Sequence, residues 1–159
     1  MVGRALRECF AERQFGQEEM AEVLSFFATD PPECVFCGSQ EVKRWNHLVA
    51  INEGGETVLG NMVPACARCD DSKRSEPFEE WMISSVKGSP QSRGITDVAQ
   101  RIERIKAYVQ RFDYRVRTLE ERLDGQELER LRSVQSRLQE LRKDVDTLIA
   151  DYRTRTGNT

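Results

Sequence analysis

The chain has 159 residues, room for one ordinary domain or for a small module with a simple helical appendage. Its 24 Lys and Arg against 27 Asp and Glu give a net charge of −3, which excludes whole-protein attraction to nucleic acid and requires any basic surface to be local. Residues 1–33 carry 3 basic and 7 acidic side chains, 34–90 carry 6 and 8, and 91–159 carry 15 and 12, so the positive charge lies in the tail.

Residues 1–32 read as an N-terminal helical region. Leu6, Phe10, Met20, Leu24 and Phe27 supply its apolar positions, Gly16 interrupts it, and Asp30-Pro31-Pro32 ends it. Cys9 sits here as a small apolar residue rather than a ligand. The other cysteines, Cys34, Cys37, Cys66 and Cys69, fall in the next segment, 33–86. Five cysteines without a signal peptide, a long apolar run or a membrane segment indicate a cytoplasmic protein whose thiols stay reduced and bind metal.

From 33 to 74 there is little helical period, and Asn52-Glu53-Gly54-Gly55 reads as a turn between two short extended segments. A helix opens near Cys69 and runs to about Arg74. Pro77 suits the first turn of another over Ser75 to Ile83, with Phe78, Trp81 and Met82 as its apolar face.

The composition of Lys87-Gly-Ser-Pro-Gln-Ser-Arg-Gly94 marks 87–95 as a linker. Residues 96–153 then show two coiled-coil seams. The first is Val98, Ile102, Ile105, Val109, Phe112, Val116, Leu119 and Leu123; the second is Leu131, Val134, Leu138, Leu141, Val145, Leu148 and Tyr152. They are out of phase across Asp124-Gly125-Gln126. Gly costs roughly 1 kcal/mol inside a helix and is natural at a helix end, so an antiparallel hairpin is expected over a continuous helix. Each arm of roughly 28 residues would be about 40 Å long. A single hairpin buries one stripe only, which calls for a partner. Residues 154–159 read as a flexible tail.

The chemistry lies in 34–73. Two Cys-x-x-Cys pairs, Cys34/Cys37 and Cys66/Cys69, can supply four thiolates to one tetrahedral Zn²⁺. With every position filled by sulfur, that ion is structural and the reaction must use other groups. Between the pairs stand Trp45-Asn46-His47-Leu48-Val49-Ala50, Gly54-Gly55 and Gly60-Asn61, and His47 is the one histidine in the chain.

This arrangement resembles the HNH, or ββα-metal, endonucleases. Their pattern places Cys-x-x-Cys, Asp-His, Gly-Gly, Asn-Leu and Cys-x-x-Cys-Asn/His-x-x-Lys in succession, and His47, Gly54, Gly55, Asn61, Cys66, Cys69 and Lys73 fall in register with it. The resemblance implies an α+β fold, a small zinc-stapled ββα core between the N-terminal helical region and the coiled coil. It implies His47 as general base toward a water that attacks a phosphodiester, suited by an unperturbed pKa near 6.5. Asn61 would orient the loop bearing the histidine. A catalytic Mg²⁺ or Mn²⁺ would be held at Asn46 and Asp70, where the family usually has Asp and Asn or His respectively. Ala50 also replaces the usual Pro.

Lys73, Arg74, Lys43 and Arg44 could contact phosphates beside the cut, or be solvated surface charge. The basic run from Arg101 to Arg117 could follow a phosphate backbone, but flanking charge that selects helical partners accounts for it better. A zinc nucleobase deaminase would need His-x-Glu and a Pro directly before its Cys-x-x-Cys. The chain has His47-Leu48-Val49 and Pro64-Ala65-Cys66, which excludes that chemistry. The reading is therefore an HNH endonuclease acting on DNA, as a homodimer or docked to a larger protein through the coiled coil. The rival is a degenerate zinc module serving as a nucleic-acid-binding or coiled-coil adaptor.

Overall fold

The structure, a computed structural model, describes residues 15–157. Of the expected N-terminal helical region, residues 1–14, with Leu6, Cys9 and Phe10, lie outside the described residues. The described chain divides between Val116 and Arg117 into two compact units.

The first unit opens with helix α1, Gln17–Phe27. Gly16 stands at its N-cap, and the Glu19 carboxylate accepts from the Gly16 amide at 2.7 Å, a reach-back bond that holds the Glu19 pKa below the usual range. Ala28 closes the helix in the left-handed region, with φ 42°, just before Asp30-Pro31-Pro32. The helix buries Val23 and Phe27.

Strands β1, Val42–His47, and β2, Met62–Cys66, pair antiparallel with His47 opposite Met62 and Asn46 opposite Val63. They are the two extended segments expected around the glycine turn. A short 3₁₀ turn, Ile51–Glu53, leads into Gly54, with φ 90°. A Cβ on Gly55 would lie 1.8 Å from the Val49 carbonyl oxygen, so no other residue fits there. Every residue of β2 is buried. Helix α2, Ala67–Lys73, follows directly from it, and Cys66 serves as its N-cap. Helix α3, Phe78–Met82, starts after Pro77 and buries Trp81 and Met82.

Two expectations change here. The segment 87–95 is ordered structure, not a spacer. Gly88, Ser89 and Pro90 are buried, the Ser89 hydroxyl donates to the Ser84 carbonyl at 2.7 Å, and Gln91–Arg93 forms a 3₁₀ turn. The first coiled-coil seam is also spent differently. Its helix, α4, spans Val98–Arg111 and ends there, with Asp113 at φ 47°. Val98, Ile102, Ile105 and Tyr108 are buried in the core with Val23, Phe27, Phe36, Val63 and Trp81. An apolar stripe of helical period is the same signal whether it faces a second helix or a globular core, and here it faces the core.

The second unit holds a short helix α5, Leu119–Arg122, and a helix α6, Gly125–Thr156, of 32 residues. Two arms of equal length are therefore not formed. Gly125 does fall at a helix end: Asp124 is the N-cap, its carboxylate accepting from the Glu127 amide at 2.8 Å while Glu127 accepts from the Asp124 amide at 3.0 Å. The helix runs through residues 154–156 and does not give way to a flexible tail there. No helix among the described residues is long and apolar enough to cross a membrane.

Candidate functional site

The sulfurs of Cys34, Cys37, Cys66 and Cys69 lie within 4.8 Å of one another, and Cys37 Sγ is 3.7 Å from Cys66 Sγ. Sulfur ligands at about 2.3 Å around a tetrahedral ion stand about 3.8 Å apart, so donor set and spacing both fit zinc. Each pair is presented by a different local device. Cys34 and Cys37 flank a turn in which the Gly38 amide donates to the Cys34 carbonyl at 2.8 Å. Cys66 and Cys69 lie at the N-cap and first turn of α2. Hydrogen bonding among the crowded thiols spreads charge unevenly: the bond with Cys37 pushes Cys34 up to about 12, Cys69 is pushed up by its bonds with Cys34 and Cys37, and Cys37 is pulled down as the shared acceptor.

Arg93 joins this cluster from the supposed linker. Its Nη2 donates to Cys69 Sγ at 2.9 Å, placing a cation against the sulfur cluster. Spacing rules for metal ligands carry no sign of it.

His47, the last residue of β1, is half-buried, and its Nε2 lies 3.0 Å from Thr57 Oγ1. Burial lowers its pKa, the nearby Lys73 charge lowers it further, and Asp70 opposes both. The loop that follows is closed by Asn61, which is fully buried. Its Oδ1 accepts from the Val49 amide at 2.8 Å, and its Nδ2 donates to the Val49 and Glu56 carbonyls at 3.1 and 2.7 Å. Both ends of the segment from Val49 to Glu56, which leads directly into Thr57, thus hang on one side chain.

Asn46 and Asp70 are brought together: Asn46 Nδ2 donates to Asp70 Oδ1 at 2.6 Å. Asn46 Oδ1 is buried with no hydrogen-bond partner among the described residues. A buried orphan acceptor is costly, and an amide oxygen beside a carboxylate is a donor set that hard divalent cations take. The residues present therefore fit an ion of the Mg²⁺ or Mn²⁺ kind. Arg44 contends for the same carboxylate, with Nη1 at 2.8 Å from Asp70 Oδ2 and 2.5 Å from Asp71 Oδ1.

Of the four basic residues expected beside phosphates, Lys43, Arg44 and Arg74 are exposed, and Arg44 is engaged as described. Lys73 is not at the surface. It is fully buried, and its Nζ donates to the His47 carbonyl at 2.9 Å. Desolvation lowers its pKa to about 8 against the pull of Asp70 and Glu76. Tyr108 of α4 also reaches this region unannounced: its hydroxyl accepts from the Gly60 amide and donates to the Met62 carbonyl, both at 2.9 Å.

Residues 34–76 match the family model described as HNH endonuclease. A curated relative is "SPbeta prophage-derived putative HNH endonuclease YoqL" of Bacillus subtilis (strain 168), 32% identical over 66 residues. The match covers 42% of this chain and 25% of the relative, so the chain spans about a quarter of that protein's length. No solved structure matches at the same stringency. The family model thus covers the cysteine cluster, His47, Asn46, Asn61 and Asp70, and stops short of Arg93 and Tyr108.

Proposed function

We propose that the chain is a metal-dependent HNH endonuclease that hydrolyses phosphodiester bonds in DNA, with a structural zinc at Cys34, Cys37, Cys66 and Cys69. The observation that carries the reading is the pairing of Asn46 Nδ2 with Asp70 Oδ1, which leaves Asn46 Oδ1 unpartnered among the described residues while the Asp70 charge acts on His47. In this reading the His47 Nε2–H donates a hydrogen bond to Thr57 Oγ1 and stays on the ring, which leaves the Nδ1 lone pair to take a proton from the attacking water. Burial keeps the imidazole neutral at neutral pH, the form a base requires. Asn61 and Lys73 fix the loop and the carbonyl on either side of that ring. Asn46 and Asp70 would hold the Mg²⁺ or Mn²⁺, which when bound supplies charge neutralisation at the phosphate and the leaving oxygen. Lys43, Arg44 and Arg74 are the exposed cations available to the flanking phosphates.

Cleavage of supercoiled plasmid with Mg²⁺ or Mn²⁺ tests this, wild type beside His47→Ala, after elemental analysis for zinc. Nicking or linearisation lost in the variant supports the reading; equal inertness of both, with zinc present, counts against it. A second reading, a degenerate zinc module acting as a nucleic-acid-binding or coiled-coil adaptor, is favoured by one observation. Arg44 already spans Asp70 and Asp71, as in a site that has exchanged its cation for an internal ion pair. Such a module would bind zinc and no Mn²⁺.

A further inference from the structure

Helix α6 carries an apolar stripe that the fold leaves uncovered. Leu138, Leu141, Val145, Leu148 and Tyr152 are 41 to 68% exposed, with Ile149 beside them at 43%. Val134 is half-buried and Leu131 buried, so the open part of the seam begins near Val134. Spacings of three and four recur from Leu131 to Tyr152 and keep the stripe to one narrow face, a pattern that a two-helix seam can use. We propose that this helix binds a second copy of the same chain, antiparallel, about a two-fold axis passing between Gln139 and Glu140. The inference is independent of the nuclease reading.

Charge selects the partner, the direction and the register together. The residues immediately before the stripe positions Leu131, Leu138, Val145 and Tyr152 are Arg130, Arg137, Asp144 and Asp151: two cations in the N-terminal half and two anions in the C-terminal half. In an antiparallel pair these flanking positions face their own kind across the interface. With the axis between Gln139 and Glu140, Arg137 meets Asp144 of the partner subunit and Arg130 meets Asp151 of the partner subunit, each twice by symmetry. The same register stacks Leu138 on the partner's Leu141 and Val134 on the partner's Val145. On the other flank Ile149 comes opposite the partner's Leu128, and Gln135 opposite the partner's Arg142.

The alternatives create repulsion. Moving the axis by half a heptad toward the C-terminus sets Asp144 against the partner's Asp144 and Arg142 against the partner's Arg142. Moving it the other way sets Arg137 against the partner's Arg137. A parallel pair brings Arg137 to the partner's Arg142 and Asp144 to the partner's Ile149. Among the described residues, none of the four charged side chains forms an ion pair within its own chain.

The test is light scattering of the full zinc-loaded chain from about 1 to 100 μM, a range in which a short helical interface of this kind is populated. The expected mass is twice 18.3 kDa, falling toward one chain on dilution. Arg137→Asp and Asp144→Arg, each alone, are expected to raise the dissociation constant about tenfold by turning two attractive pairs into repulsive ones. Mixing the two variants restores pairing, because the chain with two anions then faces the chain with two cations. Circular dichroism confirms that the helix persists in each variant. A wild-type mass of one chain at 100 μM overturns the proposal. So does tighter association of Arg137→Asp, which is the outcome for a parallel pair, or a mixture no tighter than its components.

Discussion

Lys73 Nζ donates to the main-chain carbonyl of His47 over 2.9 Å, fastening the last residue of helix α2 to the last residue of strand β1. The four-cysteine cluster, whose geometry fits zinc, includes Cys66 and Cys69 at the start of that helix. A metal bound at those cysteines would therefore bear on where the histidine stands, by way of seven helical residues and one ammonium group.

Burying that ammonium is costly, and the cost depends on pH in a way that can be measured. The folded pKa of about 8 lies below the ordinary value of 10.5. Between the two, the unfolded chain holds more protons than the folded one, so stability should rise as pH climbs from about 8 toward 10.5. At neutral pH the buried charge costs about 3 kcal/mol. Lys73→Met removes that cost but leaves the His47 carbonyl unpaired, a loss of about 1–3 kcal/mol. The expected outcome is near wild-type stability at pH 7, no alkaline gain, and cleavage reduced about tenfold because the base is less firmly placed. Urea titrations of zinc-loaded protein at pH 7, 9 and 10 decide it: an alkaline gain that survives in the variant would have to come from another group.

The same lysine bears on the reaction's pH profile. Burial and the Lys73 charge both depress the His47 pKa, so its neutral form persists below the ordinary 6.5. The acid limb of cleavage should therefore lie below 6.5, and a divalent cation beside Asn46 would displace it further downward. Lys73→Met removes one of the two depressing influences and should move the limb up. Single-turnover rates from pH 5 to 8 provide the check. A limb above 6.5 in the wild type would rule out the neutral imidazole described here.

Arg93 predicts a property of the zinc site itself. A guanidinium donating to Cys69 Sγ would offset part of the negative charge that four thiolates concentrate around a bound zinc ion. Arg93→Gln keeps a donor but loses the cation, and zinc should transfer to a chromogenic chelator about tenfold faster, the equivalent of one charge-assisted hydrogen bond. Unchanged transfer kinetics would make Arg93 a spectator.

The cysteine pairs, the turn at Gly54 and Gly55, the strand–turn–strand and the start of α2 at the second pair were legible because each depends on residues close in sequence with a fixed geometric demand. Asn61 stands at a set distance from His47 in the sequence, and its buried amide bonds Val49 and Glu56. What could not be read was reuse at long range. Arg93 and Tyr108 act on Cys69, Gly60 and Met62 from 24 to 48 residues away, and nothing local marks a Ser- and Gly-rich stretch as packed structure rather than a spacer. Lys73 has the right place in the motif and the wrong environment in expectation, since a lysine in a helical last turn is ordinarily solvated. The Val98 to Phe112 stripe shows the sharpest ambiguity, because period reports that a face is buried and not what buries it.

Tyr108 turns that ambiguity into a stability prediction. Its hydroxyl joins the Gly60 amide to the Met62 carbonyl in a fully buried position, and burial holds its pKa up at about 12. Tyr108→Phe keeps the ring against Phe26, Phe27 and Phe112 but strands both backbone groups. The expected loss is about 2–3 kcal/mol in urea unfolding. A variant as stable as wild type would mean that the core does not depend on helix α4 in this way.

Arg44 decides how readily a cation enters. It holds Asp70 and Asp71 together from the solvent side while Asn46 holds the other Asp70 oxygen. An incoming divalent ion must share or displace the guanidinium, so Arg44→Gln should tighten Mn²⁺ binding about two- to fivefold, the scale of an exposed ion pair. Asn46→Ala should weaken it by removing the orphan oxygen without touching either carboxylate. Paramagnetic titration of Mn²⁺ without DNA measures both, separately from any cleavage. If Arg44→Gln tightens binding and also slows cleavage, the guanidinium has a second task on the substrate phosphate once the ion releases it. If binding is unchanged in both variants, the cation is held elsewhere, and Asn46 and Asp70 are a structural pair.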